Sequence, residues 1–225
     1  MPPFALPRVR PESQARAVAL MQALDKAYPD AHCELSHASH FQLLIAVILS
    51  AQTTDVAVNK ITPALFAKFP DAAALAKATP EEVQPFIRTI GLFRNKAKNI
   101  VACAEMLMEK HGGEVPRNME ALLELPGVAR KTANVVMGEC FNAPEGVVVD
   151  THVARLSVRL GLAAAGANPA QIEKRLMALL PRDLWAIASH RMIFHGRGAC
   201  SARGGACADH PVCREFGKGC ERKRL

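Results

Sequence analysis

The sequence predicts an all-α protein, and three observations carry that prediction. Half of its 225 residues are hydrophobic but only 5% are aromatic, so the core draws on Leu, Ala, Val and Ile, which suit packed helices. Apolar residues recur at helical spacing along most of the chain, and two helix starts carry a capping residue, a proline and a glutamate or glutamine in order. The helices are many, short and joined by tight turns, with no repeat of fixed period. Strands favour β-branched and aromatic residues, and only Val147–Val149 has that character.

The first ten residues include Pro2, Pro3 and Pro7 and read as an arm without regular structure. An amphipathic helix follows over 12–28, with Val18, Met21 and Leu24 on one face. A polar connection containing histidines runs from Pro29 to His40. Phe41–Leu49 is apolar all round, which suits a helix buried in a bundle. Asp71 caps a short helix reaching Lys77. Thr79-Pro80-Glu81-Glu82 supplies an N-cap, a proline at the first helical position and a capping-box glutamate. Phe93–His111 is a long helix stopped by Gly112-Gly113. Met119–Leu125 runs into Pro126-Gly127, and Arg130–Phe141 begins beyond that turn. Thr151–Leu160, Ala170–Leu180 (opened by Asn168-Pro169-Ala170-Gln171) and Arg182–Gly196 complete the helices. The tail, 199–225, is rich in Cys, Gly and Arg and shows no helical periodicity. It is too poor in apolar residues to build a core, so another agent must order it.

The formal net charge is +7 and the pI about 9.2. A basic surface attracts polyanions by releasing their counterions. Nucleic acid is the leading partner, an anionic membrane surface is the rival, and an ordinary basic protein is the plain alternative. No secretory signal is evident at the start. The longest apolar run, Leu43–Leu49, is far too short to span a bilayer. The expectation is a soluble cytoplasmic protein, nucleoid-associated if bacterial, with no membrane partner. Structural disulfides are rare in that compartment, so the seven cysteines call for another explanation.

The most informative segment is 122–133. Two short helices are joined by Pro126-Gly127-Val128-Ala129, where the glycine permits backbone conformations that other residues resist. The free N–H groups opening the second helix, with the positive end of its dipole, form an anion site. A DNA phosphate fits there and would position the duplex without reading its sequence. A plain helix–turn–helix connection explains the turn alone equally well. Lys131 lies in the first turn of the second helix, where the dipole disfavours its ammonium form. A lysine nucleophile must be neutral to attack, although a solvated surface lysine is the commoner fate. Asp150 stands between an apolar run and Thr151, which makes it an N-cap. Capping would also hold its carboxylate for chemistry.

Cys200, Cys207, Cys213 and Cys220 lie within 21 residues, with gaps of six, five and six. Four thiolates suit a 4Fe-4S iron–sulfur cluster or a zinc site, and zinc modules usually pair their cysteines more closely. Because the tail lacks an apolar core, a metal centre there would serve folding and hold Arg197, Arg203 and Arg214 in a basic patch. Cys33, Cys103 and Cys140 are scattered and read as buried thiols.

The stretch Leu125–Ala133, LPGVARKTA, resembles the helix-hairpin-helix signature of the endonuclease III family, within the wider superfamily of helix-hairpin-helix glycosylases. The family usually has glycine where this chain has Ala129. VDTHVARLSVRLG, beginning at Val149, resembles the family's second catalytic block. Phe194-His195-Gly196-Arg197 ahead of Cys200 matches the helix end that precedes the family's cluster loop. The first cysteine gap also matches, while the second and third are longer. His210 falls near the family's third cysteine, so a His-substituted site is the alternative. Leu49–Asp55 and Thr89–Ala97 resemble the two blocks that edge the lesion pocket. There Gln52 would fill the gap left by a flipped nucleotide and Leu92 would act as an apolar wedge. A polar helix end and a core leucine are the plainer readings of those two residues.

The resemblance covers 12–220 and implies two helical domains flanking a DNA-binding cleft. A six-helix barrel with the hairpin would span 33–143. Residues 1–32 and 144–225 would form the iron–sulfur domain, with Lys131 and Asp150 facing each other across the cleft. It implies a monomeric bifunctional DNA glycosylase and AP lyase of base excision repair, acting on duplex DNA that contains oxidised pyrimidines or abasic sites. Lys131 would attack the sugar, assisted by Asp150, on a nucleotide flipped out of the stack. Gln52, Leu92, Gly127, Ala129, Arg130, Thr132 and Arg197 would contact DNA. Adenine-mismatch glycosylases generally lack the lysine, and oxoguanine glycosylases of this fold generally lack the cluster; this chain has residues for both. The rivals are a DNA-binding paralogue with weak or no catalysis and a monofunctional glycosylase.

Overall fold

A computed structural model describes residues 5–203, 207 and 209–218. Among them the backbone forms twelve α-helices and one short 3-10 turn, with no strand. The chain divides into two compact units. Glu34–Ala143 forms one, and the segments up to Cys33 and from Pro144 form the other.

In the Glu34–Ala143 unit, α2 (His40–Leu49) is the hub. Phe41 and every residue from Leu43 to Leu49 are buried, so its apolar character all round is used in full. Ser39 opens it by accepting a hydrogen bond from the Gln42 N–H. Helices α3 (Asp55–Lys68), α6 (Phe93–His111) and α8 (Arg130–Phe141) pack on α2, and α4 (Ala72–Leu75) and α5 (Pro80–Ile87) pack on α6. The capping box at Thr79 and Glu82 forms as the sequence predicts. Helix α7 (Met119–Glu124) packs on α8 across the Pro126-Gly127 turn. Helix α3 is one the sequence reading leaves out. Pro63 lies inside it and discourages a helical assignment, but Val58, Ile61 and Leu65 are buried and hold it in place.

The second unit joins α1 (Pro11–Ala27) to α9 (Thr151–Arg159), α10 (Pro169–Leu179), α11 (Trp185–Arg197) and α12 (Pro211–Phe216). Its core combines Leu20, Met21 and Leu24 of α1 with Leu156, Leu176, Trp185 and Met192. Val147–Val149 forms no regular secondary structure; Val147 joins this core, and the Val148 carbonyl accepts from the Ser189 hydroxyl at 2.8 Å.

The tail departs from expectation. Pro211–Phe216 is helical, and Val212, Cys213 and Phe216 are buried in the core of the unit. The Arg16 guanidinium ties it down, donating to the Phe216 carbonyl at 2.6 Å and to the Leu160 carbonyl at 2.8 Å. A helix of six residues is too short to show amphipathic periodicity, which is why the sequence pattern missed it. The tail therefore does contribute apolar surface to a core.

Candidate active site and metal centre

The hairpin forms as the sequence predicts. Gly127 has φ of +80°, and a Cβ there would meet the Asn99 Cβ and Ile48 Cγ2 at 3.1 Å, so both conformation and space require glycine. Leu122, Leu125 and Val128 are buried beneath the turn. Ala129 is the N-cap of α8 in extended backbone, φ −93° and ψ 170°, which alanine adopts without strain. No side-chain cap hydrogen bond closes this helix start, and the N-terminal turn of a helix is the end that suits an anion. Arg130, Lys131 and Thr132 occupy the first turn, and Lys131 is exposed. Among the described residues no hydrogen bond or ion pair engages the Lys131 amine.

Two further features mark the same unit. Gln52 and Leu92 are non-glycine residues in the left-handed region, with φ of 54° and 57°. Such a conformation is strained in a side-chain-bearing residue and tends to occur where a site needs it. Leu92 is 56% exposed, which rules out the core-leucine reading; Gln52 is exposed as well. Between their loops lies Lys96, a residue the sequence reading did not single out. It is only 4% exposed, and its Nζ donates to the Thr53 hydroxyl at 2.7 Å.

In the second unit, Asp150 caps α9 as its position predicts, its Oδ1 accepting from the Val153 N–H at 2.8 Å. The carboxylate is therefore held by the helix it begins. The same helix reaches the cysteine centre. Arg155 donates to the Gly196 carbonyl at 2.9 Å and the Cys200 carbonyl at 3.1 Å. Arg159 donates to the Ser201 carbonyl at 2.9 Å and to the Cys200 sulfur at 3.3 Å. Gly196 in the His-Gly-Arg run is required by this packing: a Cβ would meet His152 Nδ1 at 3.0 Å and Arg155 Nη2 at 3.1 Å. Arg197 follows, exposed, at the end of α11.

Cys200 and Cys207 have their sulfurs 3.8 Å apart. His195, Cys200 and Cys213 present ligand atoms within 4.8 Å of one another, all three residues buried. A hydrogen bond from Cys213, with others from Arg159 and Cys207, pulls the Cys200 thiol down to about 5 against the opposing effect of burial. Cys213 is pushed up, chiefly by its hydrogen bond with Cys200 and by burial. Cys220 lies outside the described residues. His195, which the sequence analysis placed only within a helix end, sits inside this centre, its Nε2 3.1 Å from the Cys213 sulfur. Burial, with His210 beside it, pushes its imidazole down to about 4, so it is neutral near pH 7. Both ring nitrogens of His210 are engaged instead: Nδ1 accepts from the Val212 N–H, and Nε2 lies 3.3 Å from the Tyr28 hydroxyl. Buried sulfurs converging beside a cationic guanidinium fit a cysteine-ligated metal cluster.

The fold and hairpin define a class before they define a family. Residues 45–182 match the HhH-GPD superfamily of base excision DNA repair proteins. Endonuclease III of Synechocystis sp. is 49% identical over 205 residues, which cover 91% of this chain and 93% of that protein. Endonuclease III of Bacillus subtilis is 46% identical over 191 residues, 84% of this chain and 87% of its own. The solved structure of a trapped endonuclease III–DNA covalent intermediate, an estranged-adenine complex, matches with a TM-score of 0.86 at 44% identity, over 91% of this chain and 95% of that one. The chain belongs to the endonuclease III family of HhH-GPD base excision DNA repair proteins.

Proposed function

We propose that this chain excises oxidised pyrimidines from duplex DNA with Lys131 as nucleophile and Asp150 as its partner. Family membership makes it a base excision repair DNA glycosylase and AP lyase. One observation carries it: Lys131 stands exposed, with no partner among the described residues, in the first turn of a helix that has no side-chain cap hydrogen bond. A phosphate at that helix start would bring the backbone of a damaged strand beside the amine.

In this mechanism the neutral Nζ attacks C1′ of the extruded nucleotide. The N-glycosidic bond breaks, and the base leaves with the bonding electrons and takes up a proton. Asp150 accepts the amine proton or stabilises the cationic sugar. Ring opening gives a Schiff base between Nζ and C1′. Loss of a C2′ proton then expels the 3′ phosphate by β-elimination. Gln52 and Leu92 would occupy the space the nucleotide leaves, and Gly127, Ala129, Arg130, Thr132 and Arg197 would hold the backbone.

Cys200, Cys207, Cys213 and Cys220 would hold a 4Fe-4S cluster whose contribution is to order the tail. In this reading the family's barrel domain corresponds to the Glu34–Ala143 unit, and the enzyme acts as a monomer in the cytoplasm. Among the described residues no helix is long and apolar enough to cross a membrane.

Borohydride trapping on duplex DNA carrying thymine glycol or an abasic site tests the proposal. A covalent adduct that disappears in Lys131→Ala is the expected result. Duplex binding with no adduct from the unaltered protein would leave a DNA-binding paralogue. Base release without an adduct would leave a monofunctional glycosylase. A broad visible absorption band lost on oxidation is expected for the cluster, and a colourless zinc-loaded protein would refute it.

A further inference from the structure

Lys96 is badly placed for stability. It is 4% exposed, and burying an ammonium is costly. It also lies in the first turn of α6, where no acidic residue offsets the positive end of the helix dipole. Burial accordingly lowers its pKa from the ordinary lysine value.

Its contacts are specific. The Lys96 N–H donates to the Leu92 carbonyl at 3.0 Å. Its Nζ donates to the Thr53 hydroxyl at 2.7 Å. That hydroxyl in turn reaches the Ala51 carbonyl at 3.4 Å. Ala51 and Thr53 are the two neighbours of Gln52. One buried side chain therefore ties the start of α6, whose first helical hydrogen bond returns to Leu92, to Thr53, whose hydroxyl spans Gln52 to Ala51. These are two of the three left-handed non-glycine residues among those described; the third, Asn142, ends α8 as an ordinary C-cap.

We propose that Lys96 is a positioning residue for duplex opening. Through Thr53 it locks the Gln52 and Leu92 loops as one rigid wedge, so that their strain is met on folding rather than when DNA binds. This rests on the reading of Gln52 and Leu92 as the residues that enter the duplex. The chemistry at Lys131 is not routed through it.

The test compares cleavage of an abasic site in a fully paired duplex with cleavage of the same site in an unpaired bulge, where opening is already done. A 2-aminopurine opposite the site reports its unstacking by fluorescence. Lys96→Met and Thr53→Val are expected to lose about tenfold on the paired substrate relative to the bulge, to flatten the fluorescence rise, and to be non-additive together. Lys96→Arg is expected to restore part of the loss, because it keeps a donor to Thr53. The melting temperature of Lys96→Met is expected to hold or rise, which a merely structural lysine would not give. Equal loss on both substrates, or a full fluorescence rise in both variants, overturns the proposal; Thr53→Val decides if Lys96→Met fails to fold. Gln52→Ala and Leu92→Ala run in parallel. If both keep the full rise, the reading of the two wedge residues fails. If they lose it while the Lys96 and Thr53 variants keep it, only the role of Lys96 fails.

Discussion

At Asp150 the observed capping role and the proposed chemical one fall on a single carboxylate, and one atom separates them. Asparagine caps a helix about as well as aspartate but cannot take a proton from an amine. Asp150→Asn is expected to melt close to the unaltered protein while single-turnover excision falls by about 100-fold or more. Asp150→Ala is expected to lose the hydrogen bond to the Val153 N–H as well, with a stability loss of about 1 kcal/mol in chemical denaturation. Lys96 poses the same question for stability and pH. Its pKa is lower in the folded protein than the ordinary 10.5, through burial, so the folded state binds fewer protons than the unfolded state between those two values. Its destabilising effect is complete below the folded pKa and vanishes above 10.5. Melting curves of the unaltered protein and Lys96→Met are therefore expected to converge as pH rises through that window.

Among the elements, the hairpin and the tail are organised by different forces. The hairpin is held by backbone geometry and close packing. Gly127→Ala would place a side chain in the left-handed region and against Ile48 and Asn99. The expected cost is about 1–2 kcal/mol, measured by denaturant titration, with weaker binding to abasic duplex. The tail combines apolar burial in α12 with polar anchoring by Arg16, Arg155 and Arg159. Removal of the proposed cluster by oxidation and chelation is expected to lower the melting temperature, because binding energy at such a centre is folding energy. Most of the far-ultraviolet helical signal is expected to survive, because the long helices keep their own apolar cores. Collapse of that signal on chelation would contradict this division.

For the whole molecule, the charge of +7 sets a baseline attraction for duplex DNA whatever its sequence. Apparent affinity is expected to fall linearly with the logarithm of salt concentration, for damaged and undamaged duplex alike. Arg197→Ala is expected to reduce that slope by about one while leaving preference for damage unchanged. A change in preference, measured by competition between the two duplexes, would mean that Arg197 reads the lesion.

Local chemistry made much of this protein legible in its sequence. Helix caps at Asp71, Thr79, Asn118 and Asn168 act on N–H groups three residues away; of these, Asp71, Thr79 and Asn168 can be read directly from the chain. The glycine at 127 and the cap at Asp150 are legible for the same reason. The tertiary structure decided what depends on distant partners. Lys96 meets Thr53 across 43 residues, His195 meets Cys213 across 18, and Arg16 meets Phe216 across 200. Burial of a lysine, engagement of both His210 nitrogens and recruitment of a six-residue helix into a core leave no periodic trace in the chain. They arise only once packing brings those groups together and removes the water between them.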